Sequence, residues 1–465
     1  MTDRPFPVVT RRVLEYNENV TSQHQKGDAG QFEGESTTME DYAARNDSVF
    51  LKHRLHQETK DPVGVIRRDP FQRDRDRILH SRAFRRMMHK TQIFNANKGD
   101  HYRNRLTHTL EVNQIARSIG KDLGLNDELV EAIALGHDVG HTPFGHIGER
   151  TLGKILTEGI ELRDGKVCAI QEDFKHNFQS LRVLDTQESR CEAYMGINLT
   201  FATREGILKH TKCLNKKTGK PYQYGDNLNL DGIEMDKPSI TLEGQTVAIA
   251  DEIAQCTHDL EDGVRSGIID FRELLEQPLV KDFMSQYGIK ANEHTNTPAY
   301  ETRSFIIKHL VGFLISDVDK ASEKKIKSYI EQTSKKDGDY WFTDPCIVFS
   351  DEVDVNRKKL QKWVSDKIIR SEEISISDSK SEYIIRQMFR AFYQHPLELP
   401  DYVLGRYFRL SSGIKDFNRD LLSDQKIEEM QKDKLFIRLI ADHIGGMTDQ
   451  YASRTYKKLY YPDYI

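Results

Sequence analysis

Four residues have the types and spacing to hold a divalent cation: His108, His137, Asp138 and Asp251. Imidazole nitrogens and carboxylate oxygens together suit borderline or hard ions such as Mn, Fe, Mg or Zn. His137 and Asp138 are neighbours in the chain, and adjacent residues in mid-helix diverge by about 100°. Both can reach one ion only where a helix runs out, and Gly140 marks where that can happen. Four protein ligands leave octahedral positions open for water and a phosphate oxygen. Taken singly, each residue has an ordinary structural explanation. The functional reading rests on their order along the chain.

The elements that must position them are helical by pattern. LTHTLEVNQIARSIGKDLGL carries His108 and repeats apolar residues at helical spacing, with Leu106, Leu110, Ile115, Ile119 and Leu123 near one side. DELVEAIALGHDVG follows Asn126, an expected N-cap, and delivers His137 and Asp138 at its end. SITLEGQTVAIADEIAQCTHDLEDGVRSG brings Asp251 on a third helix. TPFGHIGERTLGKIL predicts a further helix with Thr142 as N-cap and Pro143 in its first turn. Helix is also expected over 173–208. The Gly-, Asn- and Lys-rich stretch near 211–238 reads as a β-hairpin or loop insertion. The stretch 334–339 and the SISDSKSE segment near Ser375 read as loops or subdomain edges. The expectation is an all-α fold: an N-terminal arm over 1–60, polar over 17–38, a catalytic core over 61–275, and a C-terminal helical region over 276–465.

Composition narrows the class. The chain has 465 residues, 30% of them charged and 37% hydrophobic, which suits a soluble globular protein with a large core. A formal charge of -5 argues against wholesale nucleic-acid binding. The Arg-rich run 67–86, with Phe71 and Phe84, is open to two readings: a strand-binding face or a helix with snorkelling arginines, the second preferred. Five cysteines with no CxxC pair fit reduced thiols rather than a disulfide framework. The N-terminus has no apolar signal core, and no apolar run is long enough to span a bilayer, so a cytoplasmic location is expected.

The compound pattern resembles a known family. RLTHTLEV, GHDVGHTPFGHIGE and ADEIAQCTHDLEDG are similar to the H…HD…D signature of the HD-domain superfamily. FQRDRDRILHSRAFRRMMHKTQIF and the terminal IADHIGGMTDQYASR resemble the deoxyguanosine triphosphate triphosphohydrolase family in particular, from Phe71 to Arg454. The resemblance implies that His108, His137, Asp138 and Asp251 ligate a divalent ion (Mn, Mg or Fe). It marks His146 and Glu149 as a catalytic pair, their i, i+3 spacing placing them on one helix face. It places Arg105, His176 and Lys209 at the triphosphate and Gln92 near the deoxyribose 3′-OH. Asp259 matches the family, whereas Gln255 stands where the family commonly has Tyr, which bears on base or sugar selectivity. The implied reaction cleaves a deoxynucleoside triphosphate, dGTP foremost, to deoxynucleoside and triphosphate. The implied assembly is a homo-oligomer, a tetramer or hexamer, with an allosteric nucleotide or single-stranded DNA as a further partner and no membrane. The competing readings are an HD phosphohydrolase of another nucleotide and a nucleotide- or strand-sensing module.

Overall fold

Helix formation follows the apolar periodicity, and the caps explain where most helices start. The computed structural model describes residues 42–58, 68–93, 102–162, 167–225, 228–289, 300–336 and 338–462. The expected N-terminal arm lies outside these up to residue 41. The helices are α1 (Pro70–Leu79), α2 (Arg82–Arg86), α3 (Arg105–Asp122), α4 (Asp127–Gly136), α5 (Gly145–Glu158), α6 (His176–Arg182), α7 (Phe201–Lys209) and α8 (Leu242–Arg265). They continue with α9 (Phe271–Leu275), α10 (Pro278–Gln286), α11 (Tyr300–Glu331), α12 (Asp351–Ile369) and α13 (Glu372–Gln394). The last are α14 (Asp401–Ser412), α15 (Asp424–Lys432), α16 (Lys434–Gly445) and α17 (Asp449–Tyr460). The fold is all-α, with one short antiparallel hairpin among the described residues, β1 (Ile160–Glu161) against β2 (Val167–Cys168). No helix among the described residues is long and apolar enough to cross a membrane.

Side-chain caps satisfy the first free amides of the site-bearing helices. Asn104 accepts from Thr107 N, Asn126 from Leu129 N, and Thr241 from Gly244 N. Helix α3 packs on α4 and α8, α4 also meets α1, and α7 fills the angle between α4, α6 and α8. A second apolar cluster joins α5 to the C-terminal helices through Leu152, Ile155, Phe389, Phe436 and Ile440. The five cysteines are unpaired.

The stretch near 211–238, expected as a hairpin or loop insertion, is a loop over its described residues with a bridge between Leu214 and Pro221. Other expectations require correction. Residues around Ser375 are helical: Ser371 caps α13 by accepting from Ile374 N, and the apolar face of Ile385, Met388, Phe389 and Phe392 buries it. The helix expected over 173–208 is broken, with α6 running into a π-turn (Val183–Gln187) before α7 restarts at Thr200. On α3 the buried face runs through Arg105, His108, Val112, Ile115 and Ile119, leaving Leu110 exposed. Helix α5 starts at Gly145, not at Pro143. Phe144 and Gly145 both hold positive φ, 61° and 62°, and Thr142 Oγ1 donates to Gly145 O instead of capping. A non-glycine residue in that region is uncommon and marks local strain.

Within the arginine-rich run Arg75 and Arg77 are tied into ion pairs, while Arg82 and Arg85 are exposed. Phe71 and Phe84 are buried, so neither ring is free to stack on a base. Arg75 pairs with Glu128 and Glu131, and Arg77 with Glu58. The C-terminal motif is structural glue in the same sense. Asp449 accepts from Thr91 N (2.8 Å) and from Phe144 N (2.9 Å), tying the loop before α5 to the start of α17.

Asp442 on α16 is the most heavily committed buried carboxylate. It accepts from Arg182 Nε (2.9 Å), Gln179 Nε2 (3.1 Å) and Arg438 Nε (3.4 Å). Asp442→Ala would strand the buried Arg182 guanidinium and remove one partner of Arg438, which keeps Glu172, Asp173 O and Gln179, so a loss of about 3–5 kcal/mol is expected in urea unfolding. A loss under ~1 kcal/mol would show that these charges are rehydrated rather than mutually dependent.

Candidate active site

The HD turn is built by close backbone approach. Helix α4 ends at Gly136, and His137 continues with helical dihedrals before the chain turns away. Gly140 N donates to Ser180 Oγ (2.9 Å), which donates to His137 O (2.6 Å). A Cβ on Gly140 would sit 2.0 Å from Ser180 N, so only glycine lets α6 approach this turn. That approach brings His176 of α6 beside the HD dipeptide.

His108, His137, Asp138 and Asp251 converge. His108 Nε2 lies 3.0 Å from Asp251 Oδ1 and 4.0 Å from Asp138 Oδ2. His137 Nε2 lies 3.8 Å from Asp251 Oδ1 and 3.8 Å from Asp138 Oδ1. Ligand atoms about 2.1 Å from one ion stand about 3 Å apart at right angles and about 4 Å apart across it. The spacing of His108, His137 and Asp251 fits a single cation, while Asp138 groups more closely with His176 and His210. The protonation pattern fits as well. His137 Nδ1 is 2.7 Å from Ala134 O and must donate to it, leaving a bare lone pair on Nε2. That Nε2 is buried and has no hydrogen-bond partner among the described residues. A buried acceptor facing two carboxylates is an arrangement that a cation between them would satisfy. Burial alone would raise both carboxyls; for Asp138 the neighbours His141, Arg105 and His137 outweigh it, and for Asp251 His108 and His137 do. Both are held well below the usual carboxylate range.

A second cluster adjoins the first. His141, His146, Glu149 and His176 present ligand atoms all within 4.8 Å of one another. Asp138 joins the two clusters, accepting from Arg105 Nη1 (2.7 Å) and contacting His141 Nε2 (3.0 Å). His141 stacks on His176 at 4.1 Å between ring centres. Glu149 accepts from His176 Nδ1 (2.6 Å), His176 N (3.1 Å) and Lys175 Nζ (2.7 Å). The direct hydrogen-bond partner of Glu149 is thus His176, while His146 stands near without a bond to it. His146 keeps an exposed surface. The protein packed around the ring lowers its pKa to about 4, with Arg105 and His176 acting in the same direction and Glu149 opposing. Water reaching the exposed edge weakens that desolvation.

The other predicted residues divide. Arg105 is buried within the site. Gln92 lies close by, its carbonyl O 3.6 Å from where a Gly145 Cβ would stand, and its side-chain Oε1 is buried without a partner among the described residues. Asp259, one turn past Gln255 on α8, has a buried, unpartnered Oδ1, and burial pushes its carboxyl up to about 7. Gln255 faces α12, accepting from Gln361 Nε2 at 3.3 Å. Lys209 is not brought to the cluster as a free cation, because it is buried in an ion pair with Glu205 (2.9 Å) and donates to Pro238 O (3.0 Å). Sequence reasoning passed over His141, His210, Lys175 and His258. His141 stood in the GHDVGH run and His258 in THD, where the density of histidine was the only available signal.

A helical core that gathers imidazole and carboxylate groups from three helices, with a second histidine cluster alongside, is the arrangement of an HD-type, metal-dependent phosphohydrolase. The comparisons agree: residues 105–255 match the HD domain model, and residues 347–458 match the phosphohydrolase-associated domain. The chain belongs to the deoxyguanosinetriphosphate triphosphohydrolase-like family. It is 36% identical to a member from Bordetella pertussis over 393 residues, 84% of this chain and 90% of the relative. It is 33% identical to one from Geobacter sulfurreducens over 431 residues (92% and 96%) and 35% identical to one from Neorickettsia sennetsu over 412 residues (88% and 94%).

Proposed function

We propose that this protein hydrolyses deoxynucleoside triphosphates, dGTP foremost, to the deoxynucleoside and inorganic triphosphate. The observation that carries this reading is Asp138, which touches both clusters: Arg105 lies 2.7 Å away and His141 3.0 Å away, beside the His137 and Asp251 ligand atoms. A cation site thereby adjoins a cationic and imidazole-rich surface suited to a polyphosphate. The names of the relatives support the substrate class.

A divalent ion, Mn, Mg or Fe, held by His108, His137, Asp138 and Asp251 would activate water and withdraw charge from the α-phosphorus. Water oxygen bonds to that phosphorus, the bond to the 5′-oxygen breaks, and the 5′-oxygen takes a proton. His146, exposed at the cluster, is placed to donate that proton once the negative charge of a bound triphosphate raises its pKa from about 4. Glu149 orients His176 through its 2.6 Å bond and keeps Lys175 at hand. Arg105, His176 and Lys175 offset the triphosphate charge through charge-assisted hydrogen bonds. Lys175 takes the part expected of Lys209, which Glu205 holds elsewhere. The unpartnered Gln92 Oε1 is an acceptor free for the sugar 3′-OH. Asp259, with Gln255 in place of an aromatic ring, would leave the selectivity on that side of the pocket less strict.

The test is incubation of the purified protein with each dNTP and with GTP, in Mn²⁺ and in Mg²⁺, with chromatographic identification of products. Deoxynucleoside and triphosphate in equal amounts are expected, with little product from GTP. Orthophosphate, or a nucleoside monophosphate with pyrophosphate, would overturn the reading.

A further inference from the structure

His108 has two ring nitrogens in contact with different partners. Nε2 lies 3.0 Å from Asp251 Oδ1, on the ligand side. Nδ1 lies 3.1 Å from Nδ1 of His258, a residue of α8 that is itself buried. His258 Nε2 in turn lies 2.6 Å from Glu111 Oε2, one turn along α3 from His108. Glu111 is anchored by Arg103 Nε at 2.8 Å, and Arg103 is held by Glu261 and by Asp262 at 3.1 Å. Two helices that pack directly against each other supply every member.

We infer that His258 and Glu111 form a relay behind His108 that fixes its tautomer for metal ligation. The inference rests on the metal-site reading above. Two imidazole nitrogens at 3.1 Å cannot both present lone pairs, so one carries the hydrogen. If His258 carried it, the hydrogen of a neutral His108 would sit on Nε2 and block its bond to a cation. The bare Nε2 of His258 would also face a carboxylate oxygen at 2.6 Å, lone pair against lone pair. The opposite arrangement satisfies both contacts of His258. His108 donates from Nδ1 to His258 Nδ1, His258 donates from Nε2 to Glu111, and His108 Nε2 is left as a lone pair. Asp251 alone would favour a hydrogen on Nε2; a cation takes that place between them. The carboxylate at the far end therefore selects the ligand tautomer two rings away, and His258 and Glu111 are positioning residues. His137 achieves the same result more simply, through Ala134 O.

Calorimetric titration of the metal-stripped full-length protein with Mn²⁺ tests this. His258→Leu removes the acceptor for His108 Nδ1, and affinity should fall about 10–100-fold, as losses of such outer partners typically do. His258→Asn places an amide oxygen near the former Nδ1 and should recover most of that affinity, which a purely space-filling role would not predict. Glu111→Ala, at a partly exposed position, should weaken Mn²⁺ binding in the same direction and serves where His258→Leu does not fold. A folded Leu variant with wild-type affinity would overturn the relay, as would an Asn variant as weak as the Leu variant. Wild-type protein that takes up no Mn²⁺ would instead overturn the metal-site reading on which the relay depends.

Discussion

Asp251→Asn should lower dNTP turnover by about a thousandfold or more while leaving the fold intact. The substitution is isosteric, and the side chain stands at the edge of the site, 22% exposed, on the middle of α8. Its contacts are with His108 and His137, so few packing interactions are at stake. What is lost is a negative ligand between two imidazoles. Lewis-acid stabilisation is worth several kcal/mol, and about 4 kcal/mol corresponds to about a thousandfold in rate. The measurement pairs kcat with dGTP against bound-metal stoichiometry and thermal midpoint. Loss of both metal and turnover at an unchanged midpoint is expected. A variant that keeps most of its turnover would remove Asp251 from the ligand set.

His146→Ala should cost about a hundred- to ten-thousandfold in kcat, the usual range for a positioned proton donor. Metal content should stay at the wild-type level, because His146 lies outside the His108, His137 and Asp251 group. Stability should change little, since the side chain is exposed. The two substitutions thus separate the clusters: one removes the cation, the other leaves it in place. A substrate with a better leaving group than the 5′-oxygen should lose less rate in His146→Ala than dGTP does. Equal losses on both substrates would argue that His146 positions phosphate rather than donating a proton.

The two clusters also differ in how they are supported. In the first, His137 Nδ1 meets Ala134 O and His108 Nδ1 meets His258, and Gly140 permits the close packing of α6 on the HD turn. The second begins at the strained Phe144–Gly145 step, clamped by Asp449 from the far end of the chain. A motif more than 300 residues along the chain thus holds the turn that precedes His146.

Much of the site was legible beforehand. The helices bearing His108, the HD dipeptide and Asp251 follow from apolar periodicity and caps, because burial of a stripe and satisfaction of terminal amides are local demands. The H…HD…D order along those helices pointed to one cation site. Tertiary structure decided the partners. The i, i+3 spacing set His146 and Glu149 on one face of α5, yet Glu149 bonds His176, because Gly140 lets α6 come within reach. Lys209 carries a charge suited to phosphate, but a buried Glu205 one turn away claims it. The His108–His258–Glu111 contacts depend on the rotation of α3 against α8, which Leu106 and Leu110 misindicate, since the buried face near the site is polar. Local chemistry determines which side chains are present and which elements carry them. Which atom meets which across those elements is a property of packing, and packing is settled only when every helix is in place.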